Sequence, residues 1–187
     1  MQRFASDDEA RTTSYYATTG TAFVDASDVS QLKRLAVGTG GPARYCLHSS
    51  PTSALHSMVI LQPRSAYSQP RKHLDAAKVF QIVDGEMALI LFDEEGAVHA
   101  VHHMSRSDVL VVRVEAGVYH TNMAISSEAI YHEVVLGPFD RDSRDRVFAS
   151  FAPLESDGAA GIDYLRDRVA LMRPDLVNEE NQTSGPG

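Results

Sequence analysis

From Ala43 to about Leu136 the chain is written in short apolar or alternating runs separated by turn residues. Eight of these follow one another: ARYCLH, SMVILQP, KVFQIVDG, EMALILFD, AVHAVHHM, DVLVVRV, TNMAIS and AIYHEVVLG. Short strands at this spacing predict an antiparallel barrel or sandwich, and eight of them suit a jelly roll. The clearest local element is LILFDEEGAVHAV, two β-rich segments joined by an Asp-Glu-Glu-Gly turn in which Gly96 can take a positive φ. On this reading Gly85, Gly96 and Gly117 lie at turns, and Phe80, Ile82, Leu89 and Leu91 fill or cover the barrel.

Helical spacing occurs only outside this region. DASDVSQLKRLAVG predicts a short helix capped by Ser27 or Asp28, with Leu32 and Leu35 inward and Gly38 near its end, followed by a GTGGP hinge. GIDYLRDRVALM places Ile162, Leu165, Val169 and Leu171 near the spacing of one helix face. Residues 1–27, rich in Ser, Thr, Asp and Ala, read as a flexible arm. After Gly137-Pro138 comes the charged run DRDSRDR, and then VFASFAP, an aromatic-apolar stretch expected to pack back on the barrel. NEENQTSGPG reads as a tail. The expected organisation is an arm (1–27), a β-barrel domain (28–155), and a C-terminal helix with a disordered tail (156–187).

A length of 187 residues suits one domain with a real core. The net charge of -8 opposes binding to phosphate backbones, so nucleic acid is not an expected partner, although a local cationic pocket is compatible with an acidic exterior. Cys46 is the single cysteine, which excludes an intrachain disulfide and a multi-cysteine zinc site; it reads as a small buried residue on a strand. The N-terminus lacks the apolar stretch of a signal peptide and no segment approaches a membrane span, so the expected location is the cytoplasm, away from membranes.

The segments RYCLH, SAYSQPRKH, FQIVDGEMALILFDEEG, VEAGVYHT, EVVLGPFD and FASFAPLE occur in an order and spacing that resembles the WbuC-type cupin-fold metalloproteins. The resemblance covers about Val29 to Glu155. It implies a mainly β, cupin-like antiparallel jelly-roll barrel, and pairing of two such barrels as a homodimer. Cupins usually hold a metal with a His-x-His pair, a Glu a few residues later and a His on a later strand. The resemblance places these at Arg71, His73, Lys78 and His120, so two positions match and two carry cations. A guanidinium cannot ligate, and a lysine ammonium supplies neither the oxygen donor nor the negative charge of a glutamate.

Three classes of function follow. In the first, the barrel is a metal-independent enzyme needing no cofactor. His73 and His120 exchange protons, Lys78 has its pKa lowered beside Arg71, and Tyr119 serves as an acid. Arg71 then clamps the carboxylate or phosphate of an anionic small molecule, with Tyr67, His48 and Glu133 as further contacts. Such equipment suits isomerisation, epimerisation, dehydration or cyclisation, and is reminiscent of cupin-like sugar-nucleotide epimerases. In the second, His73 and His120, completed by His48 or Glu133, hold a divalent transition metal such as iron, manganese, nickel or zinc for oxygenase or isomerase chemistry. In the third, the barrel binds anions without catalysis. Structural readings stand beside these: Lys78 can pair with Glu133, and adjacent His102 and His103 belong to an outer strand on which they face opposite ways.

Overall fold

The structure is a computed structural model that describes residues 3–7, 10, 12–138 and 145–177. The tail from residue 178 and most of the charged run after Pro138 lie outside the described residues. The fold is mainly β, a largely antiparallel barrel with a helix near each end of the chain. Two long strands organise it. KVFQIVDG and EMALILFD are one strand, β6 (Lys78–Phe92), and TNMAIS and AIYHEVVLG are one strand, β9 (Tyr119–Leu136). They pair antiparallel from Lys78↔Val135 to Phe92↔Tyr119, with register shifts between Ile82 and Asp84 and between Gly85 and Met87. Gly85 makes this break possible: its φ is 72°, and the carbonyl of Glu128 occupies the space a Cβ would need.

The other runs became β3 (Ala43–Cys46), β4 (Leu55–Pro63), β7 (Val98–Met104) and β8 (Val111–Val114). β4 lies between β3 and the second half of β9, while β7 and β8 pair with the two ends of β6. The β6–β7 connection turns at Gly96, φ 88°, as the DEEG pattern indicates. Inside the barrel Phe80, Ile82 and Leu89 are buried with Met58, Met87, Met104 and Tyr131, and Leu91 packs against them. Cys46 is fully buried, and burial pushes its thiol up to about 11, so it is a packing residue.

Four strands carry no strong local signal. The expected flexible arm contains instead β1 (Phe4–Asp7) and β2 (Thr13–Ala17), an antiparallel pair whose second strand runs parallel to β3. Its stabilisation is tertiary: Phe4 and Ala17 are buried with Tyr45 and Leu32, and Ser14 accepts from Arg44 Nε at 2.8 Å. β5 (Arg71–His73) and β10 (Arg146–Phe148) pair with each other, and Arg71 also stands opposite His120 on β9. The VFASFAP stretch thus returns to the barrel as expected, with Phe151 against Phe92 and Tyr119.

α1 (Ala26–Thr39) starts at Asp25, upstream of the expected caps Ser27 and Asp28. Asp25 Oδ1 accepts from the Asp28 amide while Asp28 Oδ2 accepts from the Asp25 amide, a reciprocal box that caps the first turn. The helix ends at Gly40, φ 67°, beyond Gly38. α2 (Gly158–Met172) buries Gly161, Leu165 and Val169, spaced four residues apart. Leu171, expected inward, is 69% exposed because the buried stripe is set by Gly161, which admits the ring of Tyr67. Among the described residues no helix is long and apolar enough to cross a membrane.

Phe80 is 3% exposed and touches both His120 and Tyr131. Phe80→Ala is therefore expected to lower unfolding free energy by about 3–5 kcal/mol in urea titration, against less than about 0.5 kcal/mol for a surface position.

Candidate active site

One end of the barrel opens into a cavity of about 950 Å³. Strand alternation decides what faces it. Arg71 and His73, two residues apart on β5, line the wall, whereas Lys72 between them points away, its Nζ bonded to Glu94 at 2.6 Å and lying over the ring of Tyr119. Lys78 opens β6, and Glu133 lies on β9 opposite Phe80. Their side chains meet at 2.9 Å, with Lys78 5% and Glu133 7% exposed. Burial opposes ionisation of Glu133, but the charge and hydrogen bond of Lys78, followed by the charge of Arg71, outweigh it and hold the carboxyl at about 2. Burial lowers the Lys78 ammonium from its ordinary value, against the attraction of Glu133. The two groups form one buried, mutually compensating pair.

His73 has a partner that sequence reasoning missed. Its Nδ1 lies 2.9 Å from Asp145 Oδ2, and Asp145 Oδ1 accepts the Asp75 amide at 2.7 Å, which fixes the carboxylate. Burial opposes the charge of Asp145; the hydrogen bonds from the Asp75 amide and His73 overcome this and keep its pKa below the usual carboxylate range. Burial, and next the charge of Lys78, lowers the His73 pKa, so the ring is neutral at pH 7. With Nδ1–H donated to Asp145, the lone pair is on Nε2, which is buried and has no hydrogen-bond partner among the described residues. The only sequence signal for Asp145 was its place in the run that leads into the returning VFASFAP segment. A charged run reads as a linker until the β5–β10 pairing is known.

The remaining expected site residues separate. His120 lies behind the wall, its ring centroid 6.3 Å from that of His73 and 5.8 Å from that of Phe80. Its Nδ1 donates to the Val118 carbonyl at 2.9 Å, and burial followed by the charge of Lys78 pushes its pKa down to about 3. Tyr119 does not reach the cavity: as the next residue on β9 it faces the opposite side, edge-on to Phe151, and its role as an acid is withdrawn. Tyr67 is on the wall, but its hydroxyl donates to the Pro153 carbonyl at 2.7 Å and its ring meets α2 at Gly161, so it closes the barrel end. His48 is also on the wall, stacked on His56 at 4.2 Å, with Nδ1 held 3.2 Å from the Ser57 backbone. The wall further includes Arg44, Gln62 and Tyr131, inward polar positions of strands predicted by their apolar pattern, and Tyr16 of β2, from the segment expected to be an arm.

His103, on the outer strand β7 as expected, bonds to Glu86 and Asp108 at 3.2 Å each. Among the described residues no three His, Cys, Asp or Glu side chains are grouped so as to hold a metal ion. At the four positions matched to the cupin ligands, the donor chemistry does not fit a divalent cation: His73 faces Lys78 and Arg71, and the adjacent carboxylate of Glu133 is already neutralised.

A family model described as a domain of unknown function, DUF6016, matches residues 42–104. No curated protein matches the chain. Among solved structures, the capsular polysaccharide assembling protein CapF from Staphylococcus aureus is similar with a TM-score of 0.48 and 15% identity, over 57% of this chain and 29% of that one. KdgF from Halomonas sp. gives 0.43 and 17%, over 55% and 84%. Protein SO0799 from Shewanella oneidensis gives 0.44 and 13%, over 73% and 78%. The chain thus spans less than a third of the length of CapF.

Two outcomes follow from the buried charges. Glu133→Gln leaves the Lys78 ammonium uncompensated and is expected to cost about 3–5 kcal/mol in chemical denaturation, whereas Lys78→Met combined with Glu133→Leu is expected to cost far less. Stability is also expected to fall on acidification. His120 has a folded pKa of about 3 against 6.5 unfolded, so its contribution is complete above pH 6.5 and is lost as pH falls toward 3. Within that window the slope approaches about 1.4 kcal/mol per pH unit. Glu133 adds a second loss below pH 4.5, continuing toward 2. Unfolding free energy measured from pH 8 to 4 should show the first loss, and His120→Gln should reduce its slope, the remainder including that from His48, which burial pushes down to about 4.

Proposed function

We propose that the protein is a small-molecule enzyme of the WbuC-like branch of cupin folds, catalysing metal-independent proton transfer on an anionic substrate, with His73 as the general base. The observation that carries this reading is the pairing of His73 Nδ1 with Asp145 while Nε2 is left buried and unpartnered in the wall of a large cavity. A neutral imidazole oriented by a carboxylate is equipped to take a proton at Nε2, and the carboxylate stabilises the imidazolium that forms. Arg71 lies two residues away on the same strand face and holds the anionic group of the substrate.

The step is removal of a proton from carbon next to a carbonyl. The C–H electron pair moves into the enolate, the proton goes to His73 Nε2, and the charge on the enolate oxygen is met by Arg71. Return of a proton to the opposite face inverts the centre; return to the neighbouring oxygen or carbon isomerises it; loss of a β-leaving group dehydrates it. Tyr131, whose phenol is held protonated by burial and whose hydroxyl lies 3.4 Å from Gln62 Oε1, is a proton donor on the same wall. This moves the expected role of an acid from Tyr119 to Tyr131, and makes His120 a buried neighbour of the base.

Incubation in D2O with a panel of keto acids and keto-sugar nucleotides, read by mass spectrometry and NMR, tests the reading. Wild-type protein is expected to exchange a carbon-bound hydrogen of at least one class. His73→Gln and Asp145→Asn should each reduce the rate by about two to four orders of magnitude without loss of fold. Exchange that is undiminished in both variants would exclude His73 as the base. Anion binding with no exchange in any class would leave a binding barrel.

A further inference from the structure

We propose that the ligand of this cavity carries two separate anionic groups, carboxylate or phosphate, joined by a short uncharged body, with one group at Arg71 and the second at Arg44. The inference rests on the reading of the cavity as a substrate site and specifies the class of molecule it accepts.

Four basic side chains line the cavity: Arg44, Arg71, Lys78 and Arg146. Lys78 is neutralised by Glu133, and Arg146 lies over the ring of Phe148 at 5.1 Å. Arg44 and Arg71 are treated differently, and alike. Neither is ion-paired with a carboxylate among the described residues, and each is oriented by an uncharged serine. Arg44 Nε donates to Ser14 Oγ at 2.8 Å; Arg71 Nη1 donates to Ser68 Oγ at 3.0 Å. A hydroxyl fixes the direction of a guanidinium without cancelling its charge, so the remaining N–H groups are left for an acceptor from outside.

This is a choice made in a chain with 25 acidic residues against 17 lysines and arginines, where carboxylate partners are abundant. Although Asp7, Glu133, Asp145 and Glu155 also line the cavity, none is in salt-bridge contact with either guanidinium, and holding both half-buried without such contact costs free energy that an anionic ligand recovers. They project from different strands, since β3 and β5 are separated by β4 and β9 in the strand order. They nonetheless face a shared space, since both charges act on the phenol of Tyr131. Arg71 lies beside the proposed base and Arg44 lies near Tyr16 and Met58, so the group at Arg71 adjoins the reacting carbon and the group at Arg44 sets the length of the molecule.

The test is isothermal titration, at matched ionic strength, of the full chain with the α,ω-dicarboxylates from malonate to pimelate, the monocarboxylates of the same lengths, inorganic phosphate and pyrophosphate. Wild-type protein is expected to bind the best dianion at least about tenfold more tightly than the corresponding monoanion, as one added charge-assisted contact implies. Preference for pyrophosphate over every dicarboxylate would assign phosphoryl groups, and the reverse order would assign carboxylates.

Arg44→Gln and Arg71→Gln should each abolish the preference for dianions. Arg44→Lys, which keeps the charge, should retain most of it. Equal affinity for mono- and dianions, or an unchanged preference in Arg44→Gln, would overturn the proposal, as would equal loss in the Lys and Gln variants, which would make Arg44 a packing residue. Titration of His73→Gln separates this idea from the catalytic one. Dianion preference retained there, with no hydrogen exchange in the wild type, would remove the base and leave the two-anion site. Exchange by the wild type with no dianion preference would do the opposite.

Discussion

The pairing of β6 with β9 is the constraint from which the rest of the molecule follows. Two strands of this length cannot lie flat against one another in a chain of this size without exposing an extended apolar face, so they bend, and Gly85 supplies the conformation at which they do so. The break divides each strand into two halves. One half of β9 pairs with β4 and the other meets β5 through His120 and Arg71. Lys78 and Glu133 are thereby brought together at one cavity, with His120 behind its wall, although more than fifty positions separate Lys78 from Glu133 in the chain.

Gathering cations and imidazoles in a buried place has an electrostatic consequence. Lys78 takes Glu133 for itself, and this single pair removes the adjacent acid from any other role while keeping a positive charge beside His73 and His120. Both imidazoles are therefore kept neutral by burial and by that charge. Only His73 is then given a carboxylate on its outer nitrogen. The two histidines differ in depth, His120 being the more buried, and in what Nδ1 meets: Asp145 for His73 and a backbone carbonyl for His120.

Much of this was legible in the sequence. The apolar runs located the central strands, the Gly96 hairpin and the core positions Phe80, Ile82 and Leu89, because two-residue alternation survives tertiary context when one face is buried. Merging of the runs into β6 was not legible, since a bend at glycine and a turn at glycine carry the same local signature, and in β9 the polar Ser126-Ser127-Glu128 between the apolar runs resembles a turn. β1, β2, β5 and β10 were not legible because three to five residues hold too little periodicity; their partners are supplied by strands distant in the chain. The same reason explains the site. Arg71, His73 and Lys78 were found on a segment with its own motif, whereas Asp145 and Arg44 acquire meaning only through pairing. Tyr119 was misplaced by one residue of register, which on a strand changes the face entirely.

The distribution of charge also sets the two arginines apart from the lysine at the position of a cupin glutamate. A lysine in place of a cupin glutamate looks like the decisive change, yet its charge is spent within the protein on Glu133. Arg71, one strand away, and Arg44, on the strand that β2 covers, keep theirs. Both are held by serines that come from segments outside the apolar runs, Ser14 from the N-terminal strand pair and Ser68 from the turn before β5. The segments with the weakest sequence signal thus shape the cavity wall: Ser14 of β2 orients one guanidinium, Ser68 in the turn before β5 orients the other, and Asp145, entering β10, orients the ring of His73.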